Sequence, residues 1–501
     1  MTSRFQFHPL VMIFSIVVAV AALTWIIPGG EYQRHVVNGK TLVVPNSFKQ
    51  IEGRPQGLGA IMTAPVLGFT KAAEIIVFLF IIGGAFMVVQ KTDAINASLQ
   101  RVAHIFAERP RLQKFFIPVT MTLFSLGGSI FGMCEETMPF VLIFIPLAIS
   151  LGYDSLVGTA IPFLGAAAGF AGSTLNPFTV GIALKICELP YETGLGYRVF
   201  IWFVSTGFVI AFVMWYAAKV KRDPSSSLVY EIDRARPVSK SFSSKSENKG
   251  GNGNGNGNPD GNRDANNSGN ANAIVNGKGD ERNEGEIPLK RAHLLIMGLF
   301  VLTMIALVVG ILKYEWFIVE IAGLFFALGL SAGVIGGMSA GQIADAFKEG
   351  AKDMVGVALI IACAKSILVV AEQGKIIDTM LFHMGNTISH LPQILAAQGM
   401  FVTQGVLNFF IHSGSGQAAL TMPVMGPLAD VLQMTRFTAV LAFQFGEGWI
   451  TPILPTSGVT MGVLGLAGIP YEKWLRWLLP MQLFFFFVAL LLLIPPVILK
   501  W

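Results

Sequence analysis

Residues 126–150 read LGGSIFGMCEETMPFVLIFIPLAIS, and residues 151–186 continue as LGYDSLVGTAIPFLGAAAGFAGSTLNPFTVGIALKI. Glycine, serine, threonine, asparagine and proline interrupt apolar runs that are long enough to enter a bilayer, and Glu135 and Glu136 lie in the first interruption. Lipid offers no hydrogen bonds to free backbone groups, so such breaks persist only inside protein or beside a water-filled cavity. The stretch therefore predicts broken helices that surround a binding site.

The composition is that of a membrane protein. The chain has 501 residues, of which 53% are hydrophobic and 13% are charged, whereas soluble domains contain about 25% charged residues. The mean hydropathy is +0.62. Several apolar runs approach or exceed about 18 residues, which predicts a polytopic protein with the lipid bilayer as its partner. The net charge of +5 gives no reason to expect a nucleic-acid partner.

Cysteines and sequence motifs narrow the function classes. Cys134, Cys187 and Cys363 lie in or beside apolar segments without paired spacing, which predicts free thiols and no cysteine-based metal site. The sequence contains no Walker motif, nucleophile elbow, HExxH or CxxC. We therefore expect neither an enzyme nor ATP-driven transport within this chain, and no organic cofactor.

The chain divides into two membrane halves joined by a polar linker. Residues 1–222 form the first half, and residues 290–501 form a connecting span and the second half. Residues 223–289 contain the run GNGNGNGNPDGNRDANNSGN, whose lack of apolar residues predicts a disordered linker. Each half contains a re-entrant hairpin followed by a broken span, at residues of about 115–151, 155–186, 392–431 and 436–468.

The two halves repeat the same order of features. Thr137-Met138-Pro139 follows the tip of the first hairpin, and Thr421-Met422-Pro423 follows the tip of the second. Cations in the amphipathic segment 93–111 and beside the linker place both on the cytoplasmic side. With a cytoplasmic N-terminus, the connecting span inverts the second half, and the C-terminus lies outside. The predicted fold is an all-α polytopic membrane protein with two inverted-topology repeats, the architecture of many secondary transporters.

The polar residues at the breaks form the candidate site. Half-helix N-termini suit a substrate carboxylate, and freed carbonyl and hydroxyl oxygens suit Na⁺. The same small residues also permit close helix packing, and the sequence does not separate these roles. The candidate substrate-binding residues are Ser129, Glu135, Glu136, Thr174, Asn176, His412, Ser413, Ser415, Glu447 and Thr456. The candidate Na⁺ ligands are Ser129, Ser173, Asn176, Ser415 and Ser457.

Buried charges are the sharpest signal. An ionised carboxylate at membrane depth costs at least about 2.5 kcal/mol on insertion scales, which marks Glu135, Glu136 and Glu447 as functional candidates. The adjacent pair could be a counter-charge for a cationic substrate, a proton carrier or a cation ligand, or it could simply be solvated at a wet tip. Neighbouring residues do not share a helix face, so we expect one of the two to point into the site. Lys365, mid-span in IIACAKSILVV, is a candidate partner for a carboxylate.

Three segments carry a resemblance to a known family. GGSIFGMCEETMPF at 127–140, AGSTLNPFTVGIA at 171–183 and SGSGQAALTMPVMGPLADVL at 413–432 resemble the C4-dicarboxylate anaerobic carrier (DcuC) family of the ion transporter superfamily. Within it they are most similar to the YfcC-type branch of basic amino acid antiporters. The resemblance implies inverted repeats, opposed hairpins, a homodimer with scaffold and transport regions, and elevator-type alternating access. The linker at 223–289 is an unusual insertion for this family.

The resemblance and the residues together give a hypothesis on function. The family name implies dicarboxylate substrates, whereas the branch implies exchange of the arginine/ornithine type. The first tip carries two glutamates and no arginine, which favours a cationic, amino-acid-like substrate. That tip also lacks the Ser-Asn-Thr triplet of related dicarboxylate carriers, and either Na⁺ or H⁺ could be the coupling ion. The alternatives are a Na⁺- or H⁺-coupled transporter of C4-dicarboxylates or other organic anions, a channel with re-entrant loops, and a non-transporting membrane scaffold.

Overall fold

The computed structural model describes residues 9–37, 40–95, 97–98, 101, 110–236, 290–314, 316 and 318–500. Most of the amphipathic segment predicted at 93–111, and the linker from 237 to 289, lie outside these residues. Of the linker, only its first residues, 223–236, fall within the described chain.

The first half consists of helices that alternate with short breaks. Its helices are α1 Pro9–Ile26, α2 Leu58–Lys71, α3 Ala73–Lys91, α4 Pro110–Phe131, α5 Met138–Ser150, α6 Ser155–Ala171, α7 Val180–Ile186, α8 Leu195–Arg222 and α9 Tyr230–Ala235. Single 3₁₀ turns occupy Glu135–Thr137 and Pro224–Ser226.

The second half continues in the same manner. Its helices are α10 Arg291–Tyr314, α11 Ile318–Ile335, α12 Ala340–Asp353, α13 Val355–Gln373, α14 Ile377–Ile388, α15 Gln393–Phe410, α16 Gly414–Val431, α17 Arg436–Gly448, α18 Gly458–Ala467, α19 Tyr471–Leu492 and α20 Ile494–Leu499. A 3₁₀ turn occupies Thr451–Ile453.

Seven helical segments in the described part of the chain are long and apolar enough to cross a membrane. Four shorter apolar helices, of 10–17 residues, accompany them. The predicted class, an all-α polytopic membrane protein, is confirmed.

The polar loop between α1 and α2 forms two small antiparallel ribbons. Gly30–Glu31 (β1) pairs with Lys49–Gln50 (β4), and Arg34–Val37 (β2) pairs with Lys40–Val43 (β3). The ribbons rest on the second half of the chain, because β1 packs against α14 and β3 packs against α16. Asp378 at the start of α14 accepts hydrogen bonds from the Arg34 guanidinium at 2.8 Å and from the Tyr32 backbone N–H at 2.9 Å.

Helix lengths and packing recur between the two halves. Helices α2 and α3 contain 14 and 19 residues, and α12 and α13 contain 14 and 19 residues as well. The pairs pack crosswise, α2 on α13 and α3 on α12. Both contacts are close at a glycine: a Cβ on Gly68 would lie 2.3 Å from Ala362 O, and one on Gly83 would lie 2.7 Å from Gly350 O. The inverted orientation of the halves stays a prediction.

Each predicted hairpin contains two helices whose open ends lie side by side. Gln113 Nε2 donates to Leu151 O at 2.9 Å in the first hairpin, and Gln393 Nε2 donates to Leu432 O at 3.0 Å in the second. In both halves the two hairpin helices pack on the first segment of the following broken span, α4 and α5 on α6, and α15 and α16 on α17. These matched contacts are what a duplicated unit would produce.

The folded first half extends beyond the predicted boundary at 222. Residues 223–236 form a 3₁₀ turn and α9 instead of the predicted disordered linker. Ser227 Oγ donates to Asp154 Oδ2 at 2.7 Å, and the Ser155 N–H donates to Asp233 Oδ2 at 2.7 Å. The segment is held by side-chain hydrogen bonds to the start of α6 and by a short apolar cluster, since Val229 is fully buried and Leu228 and Ile232 pack against the core. Three apolar residues in a polar stretch were too weak a signal to predict it from the sequence.

Candidate functional site

The first hairpin tip turns where a glycine permits it. Helix α4 ends at Phe131, and Gly132 follows with φ +73°, a conformation that side chains other than glycine rarely adopt. A Cβ at Gly132 would lie 2.6 Å from Asn176 Oδ1. The chain then passes through the 3₁₀ turn Glu135–Thr137, and α5 follows at once. The tip is therefore pressed against the break in the first broken span, which holds Asn176.

Hydrogen bonds join the first tip to the first break. Ser129 O accepts the backbone N–H groups of Thr174 at 3.1 Å and of Leu175 at 3.0 Å. The hydroxyls of Ser129 and Thr174 lie 2.9 Å apart. Two freed N–H groups of the break are thus satisfied by the hairpin, which fixes the relative position of the two elements.

The second tip is joined to the second break by different residues. Asn408 Nδ2, near the end of α15, donates to Glu447 O at 3.0 Å and to Thr451 Oγ1 at 3.0 Å. His412 Nε2 and Thr456 Oγ1 lie 2.5 Å apart. Asn408 was not predicted from the sequence. The one feature that could have indicated it is an amide side chain within the otherwise apolar run VLNFFI.

The two breaks meet each other as well. A Cβ at Gly414, in the second tip, would lie 2.4 Å from Thr179 Cγ2 and 3.4 Å from Glu447 Oε1. Gln444 Nε2 of α17 donates to Phe170 O of α6 at 2.6 Å. Both tips and both breaks therefore converge on one centre. A cavity of about 30 Å³, lined by Cys134, Thr137, Glu447 and Thr451 among others, lies at this centre.

Three carboxylates lie at the centre. Glu136 is 7% exposed, and its Oε2 accepts the Cys134 N–H at 2.9 Å. Glu447 is 5% exposed, and its Oε2 has no hydrogen-bond partner within the described chain. Glu135 is half-buried and interacts electrostatically with both Lys365 and Glu447. The centre thus combines three acidic groups with one nearby cation.

Other polar atoms at the first break are buried without a partner. Ser173 Oγ, Asn176 Nδ2 and Thr179 Oγ1 make no hydrogen bond with described residues. A buried polar atom that stays unsatisfied costs about 1–3 kcal/mol. Unpaired buried polar atoms are expected where water or a substrate supplies the missing hydrogen bonds. These three atoms lie at the same centre as Glu447.

The serines of the second half serve mainly as helix caps. Ser413 Oγ accepts the Gly416 N–H at 3.2 Å and lies 3.4 Å from Ser415 Oγ, while Ser457 Oγ accepts the Thr460 N–H at 3.3 Å. Ser413 is exposed and lines a cavity of about 550 Å³ that reaches the ribbon residues Glu31 and Arg34. Ser413 therefore borders this wider cavity, while the neighbouring Gly414 lies against Glu447, and its role as a substrate ligand stays a prediction.

The described residues contain no group of three or more His, Cys, Asp or Glu side chains that could hold a metal ion. The predicted Na⁺ ligands are serine and asparagine side chains, so the absence of such a cluster does not bear on them. Ser129, Ser173 and Asn176 lie together at the first tip and break. Ser415 and Ser457 belong to the second tip and break, and their hydroxyls lie near polar atoms of their own segments.

The chain matches one known family and two relatives from other bacteria. The profile of the family described as "C4-dicarboxylate anaerobic carrier" (DcuC) matches residues 8–252 and 269–497. An Escherichia coli (strain K12) protein named "Putative basic amino acid antiporter YfcC" is 33% identical over 507 aligned residues, which cover 93% of this chain and 91% of the relative. An uncharacterized protein of Haemophilus influenzae is 28% identical over 94% of this chain and 92% of its own length.

Two solved transporter structures are similar over almost the whole chain. The Alcanivorax borkumensis YdaH transporter aligns with a TM-score of 0.40 and 14% identity, over 97% of each chain. Neisseria gonorrhoeae MtrF, from a class of antimetabolite efflux pumps, aligns with a TM-score of 0.37 and 15% identity, over 99% of this chain and 96% of its own. The family profile spans both membrane halves, so the chain is a membrane transport protein that belongs to the C4-dicarboxylate anaerobic carrier family.

Proposed function

We propose that this protein is a secondary active transporter that exchanges small basic amino acids, of the arginine or ornithine type, across the cytoplasmic membrane. One observation carries the proposal: Glu447 lines the central cavity together with Cys134 and Thr137, the two residues that flank Glu135 and Glu136 in the first tip. Three carboxylates attract an ammonium or guanidinium group and repel a dicarboxylate. A guanidinium also matches a carboxylate with two parallel hydrogen bonds. The name of the YfcC relative supports the same substrate class.

Transport requires the centre to open. The central cavity, of about 30 Å³, is far smaller than the roughly 300–1,000 Å³ of typical small-molecule sites, so the first tip and the second break, which line it, must move apart to admit an amino acid. The cavity of about 550 Å³ beneath the ribbon residue Arg34 is the route of access on that side. We place the N-terminus and the linker in the cytoplasm and the C-terminus outside. In this proposal the working unit is a homodimer with inverted repeats, in which a transport region moves against a scaffold region by an elevator-type displacement, without enzymatic catalysis.

The second candidate function is uptake of C4-dicarboxylates or other organic anions coupled to Na⁺ or H⁺. The description of the matching family favours it. Ser173, whose buried Oγ has no partner within the described chain, and the carbonyl oxygens of the first break would then contribute to a Na⁺ site. The glutamates would carry protons in the H⁺-coupled form.

Exchange in proteoliposomes tests the proposal. Vesicles loaded with ornithine should take up labelled arginine, whereas vesicles given labelled succinate should not, and each assay is run with and without a Na⁺ or pH gradient. Glu447→Gln should lower arginine exchange at least tenfold, because a charge-assisted hydrogen bond contributes about 1.5–3 kcal/mol. The matched control is Glu74→Gln, which changes an exposed carboxylate in the first turn of α3 and should leave exchange unchanged.

Two results would contradict the proposal. Succinate uptake without arginine exchange would establish the organic-anion alternative. Unchanged arginine exchange in both Glu447→Gln and Glu136→Gln would show that the acidic centre does not bind the substrate.

A further inference from the structure

Lys365 lies in the middle of a membrane-spanning helix. Helix α13 runs from Val355 to Gln373, and Lys365 is its eleventh residue of 19. A lysine ammonium at that depth costs about 2.5–3.5 kcal/mol on insertion scales, and such residues mark functional positions. Burial of the charge therefore calls for a partner at the same depth.

The packing of α13 against α18 places Lys365 beyond one end of α18. A Cβ at Gly465 would lie 2.4 Å from Val357, and a Cβ at Gly458 would lie 3.3 Å from Ile361. The two helices therefore run in opposite directions, and later residues of α13 lie beside earlier residues of α18. Residues four apart share a helix face, so Lys365, one turn after Ile361, lies past the N-terminal end of α18 at the second break.

The N-terminal end of α18 is itself electropositive. The first N–H groups of a helix have no acceptor within the helix, and the helix dipole adds a partial positive charge there. Ser457 caps this end through the Thr460 N–H. His412, bonded to Thr456, lies beside it and interacts electrostatically with Lys365. One side of the centre is therefore suited to an anion, although its opposite side is acidic.

No carboxylate of the described chain forms an ion pair within 4.0 Å of the Lys365 ammonium. Glu135 interacts with it only at longer range. Glu372, seven residues further along α13, is paired with Lys71 instead. The Lys365 ammonium is thus not engaged in an ion pair with a described residue, and Glu447 Oε2 also lacks a partner there.

We propose that Lys365, with the N-terminal end of α18, binds the α-carboxylate of the substrate. A basic amino acid carries one carboxylate and two cationic groups. The centre offers the complementary set, one lysine beside the N-terminal end of α18 and three glutamates, two in the first tip and one near the end of α17. This inference rests on the proposed function and deepens it, because it assigns a specific residue to the recognition of amino acids over amines.

The experiment compares a substrate with its decarboxylated analogue. Binding of arginine and of agmatine to the purified full-length protein is measured by titration calorimetry, for the wild type and for Lys365→Met and Lys365→Arg. Lys365→Met should weaken arginine binding about tenfold to a hundredfold, the effect of one charge-assisted hydrogen bond, and should change agmatine binding less than threefold. Lys365→Arg should keep the preference for arginine. The control is Lys352→Met, at an exposed lysine in the last turn of α12.

Each outcome decides the inference. Retained agmatine binding shows that Lys365→Met is folded and that the loss is specific to the carboxylate. Equal weakening of both ligands would mean that Lys365 only supports the structure, and tighter binding of both would mean that it competes with the substrate for Glu135; either result overturns the proposal. Failure of the proposed function is distinguishable, because the wild type would then bind no basic amino acid.

Discussion

Replacing Gly169 by alanine tests the contact that positions the first hairpin. A Cβ at Gly169, in α6, would lie 1.8 Å from Ser125 O of α4, whereas ordinary contact begins at 3.4 Å. The opposing Gly128 is almost as close, since its Cβ would lie 2.1 Å from Ala166 O. A backbone oxygen cannot rotate away, so the two helices would have to separate by more than 1 Å.

The expected magnitude follows from two opposing effects. Overpacking costs about 1–3 kcal/mol, and here the upper end applies because both partners are backbone. Alanine in place of glycine gains about 0.8–1 kcal/mol in a helix. We therefore expect Gly169→Ala to lose about 2 kcal/mol. Gly207→Ala, in α8 with nothing within 4 Å of its Cβ, should gain about 1 kcal/mol.

The assay is thermal unfolding of the purified protein in detergent, followed by arginine titration. Gly169→Ala should unfold below the wild type and Gly207→Ala at or above it, by roughly 1 °C per kcal/mol for a chain of this length. Arginine binding should also weaken in Gly169→Ala, because Ser129, one turn beyond Ser125, would lose its contact with Thr174. Equal unfolding temperatures for the two variants would refute the close helix contact.

Two further predictions concern the second break and the linker. Asn408→Ala should destabilise the protein by about 1–3 kcal/mol, because the two N–H groups of Nδ2 donate to Glu447 O and Thr451 Oγ1 and each bond contributes about 0.5–1.5 kcal/mol. The same unfolding assay checks this, with the exposed Asn386→Ala as the control, and equal effects of the two would count against it. Deleting residues 240–280 should leave arginine exchange in proteoliposomes unchanged, because their composition provides too few apolar side chains to form a packed core. Lost exchange in a well-inserted deletion variant would show that the linker does more than connect the two halves.

The positions of the breaks could be predicted because their signal is local. Glycine, proline and hydroxyl residues within an apolar run mark a helix that cannot continue, and α6 and α17 end at Ala171 and Gly448, next to such residues. The glutamates were recognisable for a similar reason, since a charge stands out in an apolar run. Helix breaks and charged residues can both be recognised in the sequence without knowing which residues contact them in the fold.

The partners of these residues depend on distant parts of the chain and were less predictable. Ser413 and Ser415 were predicted as substrate ligands, yet Ser413 caps α16, and the hydroxyl of Ser415 lies close to it. The role of Asn408 depends on Glu447 and Thr451, about 40 residues later. The folding of 223–236 depends likewise on Asp154 and Ser155. Sequence patterns showed which residues are unusual, but not which of them would meet.

The glutamine hydrogen bonds at the open ends of the two hairpins have a consequence for movement. Gln113 and Gln393 each join the two arms of a hairpin at its open end, and hydrogen bonds from Ser129 and Asn408 join each tip to its own break. In the proposed elevator-type displacement, each hairpin would therefore move together with its own broken helix. Beside α13, helix α18 presents Gly458 and Gly465, and the side chains of Ile361 and Val357 pack directly on these two positions. A shift of α18 along α13 would therefore have to exchange these close contacts for others, which gives the movement discrete stopping points.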